Sequence, residues 1–362
     1  MSTAAAGPTH KIDASRAEAF AGRVLSMLND GFLSVMVSIG HQTGLFDAMA
    51  MLPASGSDGI ARATKLSERY VREWLSAMVA GGIIDYEAEA RTYRLPPEHA
   101  GCLTRAAGTD NLASLTQLVT LMAEVEQPML DVFRKGGGLP YSAYRRFHAL
   151  MAEDSRTVYG GTLVTRTVPL IDGLKERLES GIDVVDVGCG QGAAMLILAE
   201  RFPNSRFSGI DFESDAIDVA RRTANERRLA NLRFETRDAA TLAGPPAYDF
   251  ITAFDAIHDQ AAPRRVLRGI RESLRPGGVF LMVDIGVSSH LEKNVNHPLG
   301  PMLYTCSTLH CTSVSLSQGG EGLGACWGRE KARELLGEAG FSDVGVHRVE
   351  GDILNDYFVC RA

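Results

Sequence analysis

Apolar and polar positions keep a helical rhythm through the first third of the chain. Apolar residues recur at helical spacing over 14–30 and again over 33–43, which predicts two helices. Gly44-Leu45-Phe46-Asp47-Ala48-Met49 then opens a compact helical unit. A short helix is expected over 58–63, and Ser67 is placed to cap a second over 68–79, whose apolar face carries Val71, Trp74, Leu75 and Met78. Gly81-Gly82 stops it. Ile83-Ile84-Asp85-Tyr86 and Thr92-Tyr93-Arg94-Leu95 flank a polar turn and predict a hairpin. Helix, turn, helix and hairpin in that order predict a winged helix. The stretch 102–134 reads as helical until Gly136-Gly137-Gly138. A further helix is expected over 141–157, with Tyr144, Phe147, His148 and Met151 spaced along it.

Beyond residue 176 the pattern changes to short β-branched runs alternating with helices. Asp183-Val184-Val185-Asp186-Val187 fits a buried parallel strand and runs into Gly188-Cys189-Gly190-Gln191-Gly192, after which 193–200 is helical. Glycines let backbone approach a ligand that a Cβ would push away, so strand, glycine turn and helix point to a nucleotide. Ala193 stands where a full dinucleotide pattern has its third glycine. A second strand over 206–210 ends in Asp211, whose carboxylate suits two ribose hydroxyls because it only accepts hydrogen bonds. A third strand, 232–239, carries Asp238 at its carboxyl end. The fourth, 248–259, ends in Phe254-Asp255-Ala256-Ile257-His258-Asp259. A helix over 262–274 and the turn Arg275-Pro276-Gly277-Gly278 lead to a fifth, 279–285. The stretches 344–349 and 357–361 predict a closing hairpin. These motifs alone leave NAD, FAD and S-adenosylmethionine (SAM) in play.

Taken together, the glycine loop, Asp211, Asp238, the 254–259 strand end and the Pro-Gly-Gly turn resemble the class I SAM-dependent methyltransferases over roughly the last half of the chain. Gly40-His41-Gln42-Thr43-Gly44-Leu45-Phe46, Glu68-Arg69-Tyr70-Val71-Arg72-Glu73-Trp74-Leu75 and Phe254 to Gln260 extend the resemblance to winged-helix members of actinobacterial type, similar to small-molecule O-methyltransferases. The resemblance implies an α/β fold, with a Rossmann-like seven-stranded methyltransferase sheet behind an N-terminal α-helical winged-helix domain. It implies domains at 1–100 (winged helix and dimerisation), 101–175 (helical linker and lid) and 176–362 (SAM binding). By position in the motifs, Asp186, Gly188, Cys189, Gly190 and Gly192 would cradle the methionine part. Asp211 would hold the ribose, Phe212 would lie against the adenine, Asp238 and Ala239 would meet the adenine edge, and Phe254 and Asp255 would close the site. The helix over 141–157 would cover the cofactor.

His258 is the sharpest catalytic candidate. It lies just past a strand's carboxyl end, where open α/β sheets place ligands, and an imidazole titrates near neutral pH. Ile257-His258-Asp259-Gln260 resembles the His-Asp-Trp segment whose histidine is the general base in the family. His310 is the second candidate, as a pocket residue or, with His258, as a ligand of a divalent or ferric metal of the kind that holds a 2-oxo acid for C-methylation. Tyr144, Phe147, Met151, Tyr304 and Trp327 are expected to wall a largely apolar acceptor site. Asp255 is read as a cofactor-loop or His-orienting residue, Asp284 as structural or pocket-facing.

Charge narrows the partners. The chain holds 37 Lys and Arg against 44 Asp and Glu, a formal net charge of −7, which argues against a polyanion-binding protein. Residues 60–100 hold six basic and six acidic side chains, a poor match for phosphate tracking, so the wing is expected to meet a second copy of the chain rather than nucleic acid. Six cysteines without a CxxC pair argue against a zinc site or disulfide framework. Residues 1–10 are small and polar and are expected to form a tail without an apolar h-region, and no apolar run is expected to reach membrane-spanning length. The expectation is a cytoplasmic homodimer that methylates a small molecule, releasing S-adenosylhomocysteine. A SAM-sensing winged-helix regulator and a metal-assisted C-methyltransferase are the alternatives.

Overall fold

The computed structural model describes residues 12–361; the tail expected over 1–10 lies outside them. The chain divides into two compact units. One takes the residues up to Ala107 together with Asn111–Val119, the other Gly108–Asp110 and everything from Thr120. Residues 101–175 are shared between the two.

The first unit opens with one continuous helix, Ala14–Thr43, where two were expected. Gly31 lies inside it, and one glycine costs a helix only about 1 kcal/mol. Asp13 caps the start by accepting from the Ser15 and Arg16 amides, and Gly44, at φ 73°, ends it. Helices Leu45–Met51, Ser57–Thr64 and Glu68–Ala80 follow, then strands β1 (Asp85–Glu87) and β2 (Thr92–Arg94), paired antiparallel with Tyr86 opposite Tyr93. Phe46, Ile60, Leu75 and Met78 are fully buried. The Trp74 indole donates to the Met36 carbonyl at 2.8 Å and ties the long helix to this core. The first two thirds of the long helix stay outside it. Phe20, Val24, Leu28 and Phe32 form an exposed apolar stripe, with Phe20 and Phe32 about two-thirds accessible (65% and 67%). By length and composition this helix could cross a membrane, which corrects the expectation that no stretch would.

The second unit is built on a seven-stranded sheet. Its strands are β3 (Asp183–Val187), β4 (Arg206–Asp211), β5 (Leu232–Thr236), β6 (Tyr248–Phe254), β7 (Leu274–Ile285), β8 (Asp343–His347) and β9 (Asn355–Arg361), in the order β5-β4-β3-β6-β7-β9-β8. Six run in one direction, and β9, between β7 and β8, runs antiparallel to both. Alternate residues feed opposite faces: Val184, Phe250 and Leu281 enter one core, Val185, Ile251 and Phe280 the other. Both faces are buried, which explains the near-continuous apolar runs. Pro276-Gly277-Gly278 sits inside β7 as an irregularity, because pairing with β6 begins at Leu274 and resumes at Val279. The fourth strand ends at Phe254, short of the expected 259. The helix expected over 141–157 is a 3₁₀ turn, Tyr141–Ala143, followed by a helix over Phe147–Thr162.

Candidate active site

The carboxyl ends of β3, β4 and β6 open onto one cavity, roofed by the 3₁₀ turn and the helix Phe147–Thr162. The space between its walls, counted with the solvent-open mouth, is about 1030 Å³.

Backbone builds the cofactor end. Gly188, Gly190 and Gly192 all have positive φ, at 71°, 52° and 76°. A Cβ at Gly192 would stand 2.3 Å from the Phe234 ring, and one at Gly188 would stand 2.5 Å from the Ala256 Cβ. Asp211 holds the loop in place: its carboxylate accepts from the Gly190 amide (2.8 Å) and the Glu213 amide (2.9 Å), leaving further lone pairs for a ribose. Asp186 is buried and accepts from the Thr252 hydroxyl at 2.7 Å. Burial, eased by that bond but reinforced by Asp211, pushes its carboxyl up to about 7.

Of the expected cofactor residues, Asp186, Gly188, Cys189, Gly190, Asp211, Phe212, Ala239, Phe254 and Asp255 line the cavity. Gly192 shapes the loop from behind. Asp238 caps the 3₁₀ turn Ala239–Thr241 by accepting from the Ala240 amide. Asp255 has φ 50°, a left-handed conformation rare outside glycine, and is braced by the Asn355 amide at 3.3 Å. It is not the residue that orients His258.

Side chains from distant segments build the other end. His258 is buried between two carboxylates: Nδ1 lies 2.8 Å from Asp284 and Nε2 lies 3.2 Å from Asp259. Asp284 projects from the end of β7, beside the strand that delivers His258. Its Oδ1 also accepts from the Trp327 indole at 3.0 Å. Burial alone would lower the imidazole pKa, but Asp284 and Asp259 outweigh it and hold it well above its usual value. Asp259 is buried too, which would raise its pKa; His258, aided by His310 and Tyr141, holds it well below the usual carboxylate range. The far oxygen of Asp259 accepts from the Tyr141 hydroxyl at 2.8 Å.

Asp259, rather than His258, lines the cavity. The two ring nitrogens of His258 face Asp284 and Asp259. His310 is buried as well, with Nδ1 3.9 Å from Asp259 and its ring stacked on Phe147 at 3.8 Å between centroids. Burial pushes its pKa down to about 4, against the pull of Asp259. Donor atoms of His258, Asp259 and Cys311 come within 4.8 Å of one another. His310, expected to pair with His258 on a metal, is not part of that group.

Phe147 and Met151 line the cavity as expected of acceptor residues; Tyr144, Tyr304 and Trp327 do not. Tyr144 is buried with its hydroxyl on the Leu309 carbonyl, Tyr304 accepts from the Asn294 amide, and Trp327 packs in the core beneath Asp284. Tyr141, Asp154, Tyr159 and Asp259 line it without having been singled out as site residues. Asp259 was the one within reach of sequence, as the neighbour of His258.

Comparison with known proteins gives two domains. Residues 31–105 match the Rv2258c-like winged HTH domain, and residues 178–340 match a methyltransferase domain. The chain is 39% identical over 103 residues to a trans-aconitate 2-methyltransferase of Deinococcus radiodurans, covering 27% of this chain and 35% of that protein. It is 34% identical over 105 residues to a fatty-acid O-methyltransferase of Mycolicibacterium smegmatis, covering 29% and 37%. The chain thus spans about a third of the length of these curated relatives. Human N-acetylserotonin methyltransferase, solved with SAM, shares the fold across 98% of this chain and 99% of its own, with TM-score 0.66 and 17% identity.

Proposed function

We propose that this chain, a class I methyltransferase-fold protein with an N-terminal winged helix, transfers the methyl group of SAM to a small-molecule acceptor. One observation carries the reading: a single cavity joins the glycine loop and Asp211 to Asp259, under the helix Phe147–Thr162. SAM would lie along the glycine loop with its ribose at Asp211. Its methyl would point toward Tyr141, Phe147 and Asp259. The transfer is an in-line displacement at the sulfonium carbon, so the protein's tasks are alignment, exclusion of water and removal of the acceptor's proton. The base expected at His258 becomes a pair, with Asp259 facing the acceptor and His258 positioning it.

A second copy of the chain would cover the apolar stripe Phe20, Val24, Leu28 and Phe32. Light scattering at micromolar concentration is expected to give a dimer; a monomer would contradict that part.

The test of the activity is label from methyl-labelled SAM supplied with a small-molecule extract of the source cells, wild type beside His258→Ala. Label in a small molecule, sharply reduced in a variant that still binds SAM, is expected. Tight SAM binding without transfer would move the weight to a sensor, to be tried on duplex DNA.

A further inference from the structure

The charges around the cavity restrict what can be methylated. Asp211 and Asp259 line it as carboxylates, burial pushes the Asp154, Asp186 and Asp255 carboxyls beside them up toward the neutral form, and Arg237 is the only lysine or arginine among the described residues that lines it. The Arg237 guanidinium already donates to the Thr241 hydroxyl (3.2 Å) and carbonyl (2.8 Å). SAM brings a sulfonium, an ammonium and one carboxylate, so it suits acidic walls. At the Asp259 end the positive charge, on His258, sits behind the carboxylate and not in the cavity.

The structure also shows what Asp259 receives there. The Tyr141 phenol, held among Phe147, His148, Phe212 and His310, donates its proton to Asp259. Beside it, His310 is buried with neither ring nitrogen hydrogen-bonded, so the polar groups at this end are incompletely satisfied.

Resting on the proposed transferase activity, we infer that the acceptor reacts through a neutral atom that carries both a lone pair and a proton, as in an unprotonated amine, a phenol or an alcohol, and hydrogen-bonds through that proton to Asp259 in place of Tyr141, while carboxylate acceptors are excluded. A carboxylate would stand against Asp259 with no cation facing it and no proton to offer. For a protic acceptor the bookkeeping closes. Its lone pair attacks the methyl carbon, the carbon–sulfur bond breaks with its electron pair left on sulfur, and the proton of an oxygen acceptor passes to Asp259 and then to solvent. On an oxygen acceptor the proton becomes strongly acidic as the oxygen gains positive charge, so a carboxylate held low by His258 suffices to take it; a nitrogen acceptor leaves as the ammonium and loses its proton to solvent. Aromatic walls beside a carboxylate suit a ring-bearing or cationic acceptor.

The full-length protein is incubated with methyl-labelled SAM and the small-molecule extract, and the labelled product is treated with mild alkali and passed over an anion exchanger at neutral pH. The inference expects label that survives alkali and is not retained. Methanol released by alkali marks a methyl ester, and retention marks an acidic acceptor; either overturns the inference and leaves the transferase reading standing. No label in any small molecule overturns the transferase reading and this inference with it. Asp259→Asn is expected to keep SAM affinity and lose at least about a hundredfold in turnover, the scale of a lost proton acceptor; full turnover would overturn the assignment of Asp259. Tyr141→Phe keeps the ring and removes the competing donor, and is expected to lower the acceptor KM about threefold with kcat little changed, since a hydrogen bond to a charged group no longer has to be displaced. An unchanged or higher KM would overturn the placement of the acceptor's donor group at Tyr141.

Discussion

The two ends of the cavity are held by different materials. At the cofactor end, consecutive residues of one loop place backbone amides, and one carboxylate, Asp211, fixes them. At the acceptor end, five side chains form a line from the cavity into the core: Tyr141, Asp259, His258, Asp284 and Trp327. They come from a 3₁₀ turn, a strand end, a neighbouring strand and a turn more than forty residues beyond it. The first design tolerates almost no added atoms but shifts little charge. The second tolerates shape changes but depends on every charge having its partner. Damage should therefore read out as lost geometry at one end and as an uncompensated buried charge at the other.

The largest effect is expected where the charge line is cut. Asp284→Ala leaves a buried imidazolium with one partner and should destabilise the fold by roughly 3–5 kcal/mol. A urea midpoint within error of wild type would show that the line is not a stability element.

Gly192→Val tests the other design. A branched side chain would meet Phe234 in a left-handed backbone conformation, and the expected outcome is roughly 2 kcal/mol of lost stability together with loss of SAM binding by calorimetry. Retained SAM affinity would mean that the loop does not hold the cofactor.

The third prediction probes the acceptor end by pH. The His258 pKa is raised on folding, so its stabilising contribution is fully present below its unfolded value near 6.5 and is lost only as pH rises through the higher folded value. Asp259 works with the opposite sign: its pKa is lowered, so its contribution is present above the ordinary carboxylate range and is lost in acid. The stability advantage of wild type over His258→Asn should persist through neutral pH and shrink in alkali. An advantage that vanishes as pH passes through about 6.5 would contradict the clamp.

The smallest effect belongs to the far end of the line. Trp327→Phe keeps an aromatic ring in the core and removes one donor to Asp284, so a loss of about 1 kcal/mol is expected. A loss several times larger would assign Trp327 to packing rather than to Asp284.

The same contrast explains what could be read from the chain. Asp211 and the glycines announce themselves because strand, turn and helix lie next to one another in sequence. The sheet was legible for the same reason, down to the closing strand over 357–361. The acceptor end was not, because its geometry depends on which side chains meet across β6 and β7. Asp284, read as structural or pocket-facing, turned out to be the partner of His258, while Asp255, read as a cofactor-loop or His-orienting residue, lines the cavity. Trp327, open between an acceptor wall and the core, is a hydrogen-bond donor in the core. The long first helix was read as two periodic stretches, 14–30 and 33–43, yet Gly31 between them is a small cost against thirty residues of continuous helix.

The most direct test of the clamp is the ionisation of His258 itself. Ring-nitrogen NMR on histidine-labelled protein, with the signal assigned by its absence in His258→Asn, would follow the imidazole from acid to alkaline pH. The account predicts both nitrogens protonated through neutral pH, with deprotonation only well above the ordinary histidine range. A resonance titrating near 6.5, with one nitrogen free at neutral pH, would contradict it and return His258 to the role of a direct base.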